Sequence, residues 1–259
     1  MMQDVLHSVN GHVATITLRN EGRYNAMSLA MWAKLAETLN QIDGNPLVRV
    51  VVLRGHGDKA FVSGADISEF GAQRSDAKGV AAYDRAVDSA QSALSRLRCP
   101  TIAAISGICY GGGLGLILAC DLRYCSPASK FRMPAARLGL GYALPGMKRM
   151  VDVLGAANAS ELFYTARVYS AQDAARIGLV GAVQDDVFAY ATQTAIEIAG
   201  NAPLTIAAAK LALNTLLSGN ESDGRSAVQQ AVEACFKSTD YSEGCAAFAE
   251  KRAPQFIGR

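Results

Sequence analysis

Apolar and polar positions alternate through Val13-Ala14-Thr15-Ile16-Thr17-Leu18, and Asn10-Gly11 precedes them, so this stretch reads as the second arm of a hairpin closed by a tight turn. Val48 to Leu53 is apolar apart from Arg49 and reads as a buried strand; between the two, Ser28 is placed to cap a helix running to about Asp43. The theme recurs. A helical pattern from Asp76 to Arg98 stops at Cys99-Pro100, Thr101 to Ile105 forms a strand, and Gly111-Gly112-Gly113 opens another helix. Strands that alternate with helices imply βα units around a parallel sheet. From about Ala156 the pattern is mainly helical: a helix begins at Ser170-Ala171-Gln172-Asp173, a short strand lies near Leu179 to Val183, and amphipathic helices continue to Lys251. Such a tail can pack on a second subunit or fold back on its own domain, and pattern alone fits both. No internal repeat, low-complexity tract or linker divides the chain.

Composition narrows the class. With 259 residues, 50% hydrophobic and 19% charged, the chain has enough apolar material for a substantial core. Its net charge of +2 comes without a basic block, which argues against nucleic-acid binding and leaves room for a small anionic ligand. The six cysteines (99, 109, 120, 125, 235 and 245) form no CxxC pair and sit mostly among apolar or small residues. We expect reduced, buried thiols, no metal site and a cytoplasmic protein. No secretory leader pattern or membrane-length apolar run is present, so no membrane association is expected.

Two segments carry candidate chemistry: Phe61-Val62-Ser63-Gly64-Ala65-Asp66-Ile67 and Ser106 through Leu114. Each reads as a buried strand, then a glycine-rich turn, then a helix. Such turns expose backbone N–H groups, the second at a helix N-terminus that favours negative charge. Facing each other, the two loops would donate one hydrogen bond apiece to a carbonyl oxygen and so stabilise an enolate. The glycines do not extend to a dinucleotide fingerprint, because Leu116 and Leu144 hold the sixth positions, and no G-K-[ST] follows. Close helix packing is the competing explanation for the glycines.

An ordered set of fragments resembles the crotonase, or enoyl-CoA hydratase/isomerase, superfamily over nearly the whole chain. These are Asn25-Ala26, Lys59-Ala60-Phe61 leading into Ser63 through Ile67, Pro100 through Ile105, Gly107 through Gly113 with Ala119-Cys120-Asp121, Phe163 through Ala166, Ser170 through Ala174 with Gly178-Leu179-Val180, and Gly244 through Lys251. The resemblance implies an α/β fold: a crotonase-like spiral of ββα units over residues 1–195 that binds acyl-CoA, and a helical C-terminal trimerisation region over residues 196–259. It further implies a homotrimer or dimer of trimers, and no cofactor beyond coenzyme A carried by the thioester substrate.

The resemblance also assigns roles. Oxyanion-hole N–H groups fall to Ala65 and Gly112. CoA or substrate contacts fall to Arg23, Ala26, Lys59, Asp66, Ile67 and Ser68, and Phe248 and Lys251 match an element that can reach a neighbouring CoA. For Arg23 and Lys59 a solvated charge is as good a reading, and for Asp66 a structural or ligand-positioning role outweighs that of a general base.

Hydration needs a base for water and an acid for the α carbon, work suited to paired carboxylates. The family positions for that pair are Gly115 and Ala135 here, and a third acidic position used by family isomerases is Ala143. All three are vacant. A glycine within a helix costs roughly 1 kcal/mol relative to alanine, so Gly115 suggests room for a ligand or close packing. His7, His12 and His56 all precede the glycine-rich helix, and only His56 is near the first loop. Tyr142, within Leu138 through Gly146, resembles an active-site tyrosine of the superfamily's methylmalonyl-CoA decarboxylase, although Ala65 replaces that enzyme's histidine; a tyrosine stacked over an apolar pocket wall is the competing reading. The expected function is enolate stabilisation on an acyl-CoA without the glutamate pair; the alternatives are malonyl-type decarboxylation using Tyr142, or acyl-CoA binding without catalysis.

Overall fold

The computed structural model describes residues 3–66, 77–219 and 221–259. The first hairpin is β1 (Gln3–Asn10) and β2 (Val13–Asn20), turned at Gly11, whose φ of +57° suits a residue without Cβ. β2 then pairs in parallel with β3 (Val50–Gly55), β3 with β5 (Thr101–Ile105), β5 with β7 (Leu122–Cys125), and β7 with β10 (Ala182–Val183), giving a six-stranded sheet. A second sheet has the order β4 (Ala60–Val62), β6 (Ile108–Tyr110), β8 (Lys130–Arg132) and β9 (Tyr169–Ser170). β3/β4, β5/β6 and β7/β8 thus repeat one move, a strand in the large sheet followed at once by a strand in the small one. The sequence shows no matching repeat, because the shared feature is the path of the backbone.

The crossings between sheets are tight, and two glycines permit them. A Cβ at Gly55 would lie 2.3 Å from the Ala60 carbonyl oxygen, and one at Gly107 would lie 2.1 Å from that of Lys59. These are backbone contacts that no side-chain rearrangement relieves.

Helix α1 (Leu29–Asp43) begins where Ser28 accepts from the Met31 N–H, as its sequence suggests, and buries Met31, Trp32, Leu35, Leu39 and Ile42 at helical spacing. Each such side chain stabilises the fold by about 1.5–3 kcal/mol. It packs on α2 (Ala77–Arg96), which ends two residues before the expected Arg98. There follow α3 (Gly112–Leu118), α4 (Ala135–Leu138) and α5 (Leu144–Thr165), the last broken at Gly155, whose φ is +71°. The helical half therefore begins before Ala156. Ser170 and Asp173 form a reciprocal cap on α6 (Ala171–Arg176), and the short strand comes later than expected, with Leu179 and Val180 buried in the core instead.

The main core fills the space between the two sheets and α1 through α6. A second apolar layer covers the other face of the large sheet, where Val187, Ala191, Ala195 and Ala199 of α7 (Val187–Ala199) meet Val13, Val50, Val52, Ile102 and Ala104. The expected boundary between residues 195 and 196 falls inside this helix. α8 (Pro203–Ser218) is tied to the same body by Lys210, 5% exposed, whose Nζ donates to the Cys99 carbonyl and to Asp121 Oδ2, each at 2.8 Å. This much of the tail folds back on its own domain. α9 (Glu221–Lys237) and α10 (Thr239–Glu250) follow, and Asp240 accepts from the N–H groups of Ile257 and Gly258 to pin the end of the chain. Among the described residues no single helix is long and apolar enough to cross a membrane.

Four cysteines are buried, whereas Cys235 is half-buried and Cys245 exposed, so the expectation of buried thiols holds for Cys99, Cys109, Cys120 and Cys125. Burial pushes the Cys120 thiol up to about 12 and the Cys125 thiol up to about 11, with the neighbouring Asp121 adding to the first. The thiolate is the reactive form. Titration of the native protein with a thiol reagent at neutral pH should therefore label Cys245 and Cys235, and the other four only after unfolding. Labelling of Cys120 or Cys125 in the folded state would contradict this packing.

Candidate active site

The two glycine-rich loops meet because the strands that launch them are neighbours. β4 and β6 run parallel, with Ala60 opposite Ile108 and Val62 opposite Cys109, so their C-terminal ends open side by side. Gly64, with φ of +126°, and Gly111, with φ of +50°, turn the chain there. A Cβ at Gly111 would stand 3.9 Å from Gly64 Cα, and one at Gly112 would stand 4.0 Å from the Gly64 carbonyl carbon. Gly113 lets α3 press on β4, since a Cβ there would lie 2.6 Å from the Val62 carbonyl oxygen.

Backbone pairing orients the first donor. Met27 bridges Ala65 in parallel fashion: the Met27 N–H donates to the Gly64 carbonyl and the Asp66 N–H to the Met27 carbonyl, both at 2.9 Å. In that pattern the Ala65 N–H points away from Met27. The second donor, Gly112, is the first residue of α3, where no carbonyl of a preceding turn can accept. Among the described residues neither amide has a hydrogen-bond acceptor. Two N–H groups on adjoining loops are thereby left available to one ligand oxygen.

A polar brace holds the first loop. Tyr24 and Asn25 take left-handed φ values of 50° and 56°, and the Asn25 amide donates to the carbonyls of His56 and Ala60 at 3.0 and 2.8 Å. Asp66, 7% exposed, accepts from Asn20 Nδ2 at 3.2 Å and from Arg23 Nη1 at 3.3 Å. These bonds anchor Asp66 at the end of the first loop. Arg23 keeps part of its guanidinium surface in solvent. Ala26 is buried beside it, while Lys59 and His56 are exposed, Lys59 using its backbone to receive the Ile108 N–H. Ile67 and Ser68, expected at the CoA site, lie outside the described residues. Phe248 and Lys251 are elsewhere in the chain's own fold: Phe248 lines an apolar groove among α8, α9 and α10, and Lys251 closes α10 with a φ of 55°.

The three positions at which carboxylates were expected differ from one another. Ala135, buried, starts α4 directly after Pro134, and Ala143 is exposed at the cap of α5. Gly115 is not open space. A Cβ there would lie 2.4 Å from Nε2 of Gln91, a residue of α2, so close packing is the correct choice between the two expectations for this glycine. Arg149 Nη2 donates to Gln91 Oε1 at 2.7 Å. One turn earlier on α3, a Cβ at Gly112 would come 3.0 Å from Trp32, whose Nε1 donates to the Tyr83 hydroxyl at 2.9 Å. Gln91, Arg149, Trp32 and Tyr83 escaped the sequence reading, because each sits in an amphipathic helix where it has the look of an ordinary face residue.

Tyr142 packs against the same core, its ring edge-on to Phe163 at 5.4 Å. Burial pushes its phenol up, and the nearby Arg149 offsets only part of that. The tyrosine is therefore an O–H donor across the neutral range. Among the described residues, no group of acidic, histidine or cysteine side chains could hold a metal ion.

A parallel-stranded spiral whose two glycine loops present paired amides, followed by a helical tail, defines a crotonase-type protein. The chain belongs to the enoyl-CoA hydratase/isomerase family, whose model matches residues 8–259. A Bacillus subtilis protein assigned as an enoyl-CoA hydratase/isomerase is 35% identical over 100% of both chains. The peroxisomal Δ(3,5)-Δ(2,4)-dienoyl-CoA isomerase of Arabidopsis thaliana is 31% identical, over 98% of this chain and 96% of the isomerase. The crystal structure of an enoyl-CoA hydratase from Bacillus anthracis superposes with a TM-score of 0.93 at 33% identity, covering 99% of this chain and 100% of that one.

Proposed function

We propose that the protein acts on an acyl-CoA by stabilising the thioester enolate between the N–H groups of Ala65 and Gly112, without a pair of catalytic glutamates. The observation that carries this reading is the meeting of the two loops at Gly64 and Gly112, with both amides left without acceptors among the described residues. Donors fixed in place before reaction stabilise developing negative charge at no reorganisation cost. The side chains at positions 115, 135 and 143 supply no acid or base, so reactions that create the enolate without a strong carboxylate base fit this site best. A panel assay of the purified protein on crotonyl-CoA, a 3-enoyl-CoA and methylmalonyl-CoA tests it; turnover of none, with all of them bound, would leave a binding protein instead.

Decarboxylation of a malonyl-type thioester is the second reading, favoured by Tyr142. The bond from the α carbon to the carboxylate breaks, its electron pair becomes the enolate, CO2 leaves, and a proton reaches the α carbon from the phenol or from water. Tyr142→Phe should lower the rate of CO2 release from methylmalonyl-CoA by about 10²-fold, in the range of a lost general acid. Because the phenol is held above its ordinary pKa of about 10, the wild-type rate should decline only above about pH 10. An unchanged rate in the variant would remove Tyr142 from the mechanism.

The exposed apolar side chains Leu213, Leu216, Phe236 and Phe248 support assembly through the C-terminal helices as a trimer or a dimer of trimers.

A further inference from the structure

We infer that Gln91 is the acyl-group selector of this site: its carboxamide, standing where a carboxylate at position 115 would project, donates a hydrogen bond to an anionic oxygen on the acyl chain, so the preferred substrates are acyl-CoA thioesters with an acidic substituent near the α carbon. This rests on the acyl-CoA reading above and specifies its substrate class.

The orientation of the amide is fixed by its partner. Arg149 can only donate, so the atom that faces it at 2.7 Å must be Oε1, and Nε2 is turned towards Gly115. Gln91 is 4% exposed, yet Nε2 has no acceptor among the described residues. A donor without a partner in the protein is open to an oxygen of a bound ligand.

The position is the right one for the acyl group. Gly115 lies three residues beyond Gly112 on α3, its N–H bonded to the Gly111 carbonyl at 3.0 Å. Residues three apart share a helix face at about 5–6 Å between Cβ positions. The Gln91 amide is therefore about one helical turn from the thioester-binding N–H, the separation between a carbonyl oxygen and a group on the next carbons.

The polarity is inverted relative to a carboxylate pair. A glutamate at 115 would present acceptors and negative charge, whereas Gln91 presents a donor, strengthened because Arg149 draws electron density through Oε1. Arg149 itself has a half-buried guanidinium whose acidic neighbour, Asp88, is exposed and 3.9 Å away. That environment repels the water-activating chemistry of an anion pair and attracts a substrate carboxylate.

The test is calorimetric binding of two CoA thioesters to the full-length protein. Sulfoacetyl-CoA carries an anionic oxygen group next to the α carbon and cannot lose CO2; butyryl-CoA is the neutral control. The wild type should bind sulfoacetyl-CoA about tenfold more tightly, equivalent to about 1.4 kcal/mol. In Gln91→Leu, which deletes the donor, that ratio should fall to about one. Gln91→Glu retains an acceptor for Arg149, so it keeps the packing if the leucine variant fails to fold, and it should bring the ratio below one by repulsion. A wild type with no preference, or a preference that survives in Gln91→Glu, overturns the inference while leaving the acyl-CoA reading intact. Absence of binding of either thioester to folded wild type overturns both.

Discussion

Gly112→Pro should reduce thioester turnover by about 10²–10³-fold relative to Gly112→Ala, the range measured when one oxyanion donor is removed from an enzyme. The pair of variants separates donor from packing. Gly112 is the first residue of α3, the helical position where proline's backbone fits and its missing N–H breaks no helical bond. Both substitutions add a Cβ about where Trp32 stands, at 3.0 Å, so the ring must give by a few tenths of an ångström in each. Only proline deletes the N–H. Steady-state rates on the best substrate of the panel, with circular dichroism to verify folding, decide it. Equal rates for the two variants would mean that the Gly112 amide does not touch the reacting carbonyl.

The largest effect on stability is expected at Gly107. An alanine there meets two penalties: a φ of +66°, and a Cβ 2.1 Å from the Lys59 carbonyl oxygen, which itself receives the Ile108 N–H at 3.1 Å. The first costs about 1–2 kcal/mol. The second forces β6 away from the end of β4 and with it separates the loops that carry Gly64 and Gly112. A total above about 4 kcal/mol places the variant among the rare severe single substitutions. Gly11→Ala is the control, for φ is +57° but nothing lies within 4 Å of the new methyl group. It should lose only the conformational part. Thermal unfolding of the two variants should therefore differ widely, and similar melting temperatures would contradict the close approach at the sheet crossing.

Those two glycines also show what a sequence discloses. The hairpin at Gly11, the Ser28 cap, the Thr101–Ile105 strand and the Ser170 cap were all legible, because each is a local pattern with a local physical cause. The two loops were legible too, as glycine-rich turns after apolar strands. The small sheet was not: β4, β6 and β8 have only three residues each, too few for a period to register, and their neighbours in space are far apart in sequence. The burial of Lys210 was hidden for a similar reason, since its partners Cys99 and Asp121 lie outside its helix.

The site divides along the same line. The loops that carry Ala65 and Gly112 were recognisable as glycine-rich turns, and they adjoin in the fold. That Gly115 is occupied by Gln91 could not be read, because the pairing joins α2 to α3 and depends on Arg149 from a third helix, α5. On paper position 115 is only a glycine; in the fold the space a side chain there would take holds the Gln91 carboxamide, bonded to Arg149.

The central claim is that two backbone amides polarise the thioester carbonyl, and vibrational spectroscopy reads that bond itself. The measurement is the infrared difference spectrum of the purified protein with butyryl-CoA carrying 13C at the thioester carbonyl, compared with the natural-abundance ligand. Two hydrogen bonds from Ala65 and Gly112 draw density onto the oxygen and weaken the C=O bond, so the bound band should appear at lower wavenumber than in water, and move back towards the solution value in Gly112→Pro. A bound band at or above the solution wavenumber, with the ligand saturating the protein, would contradict the account.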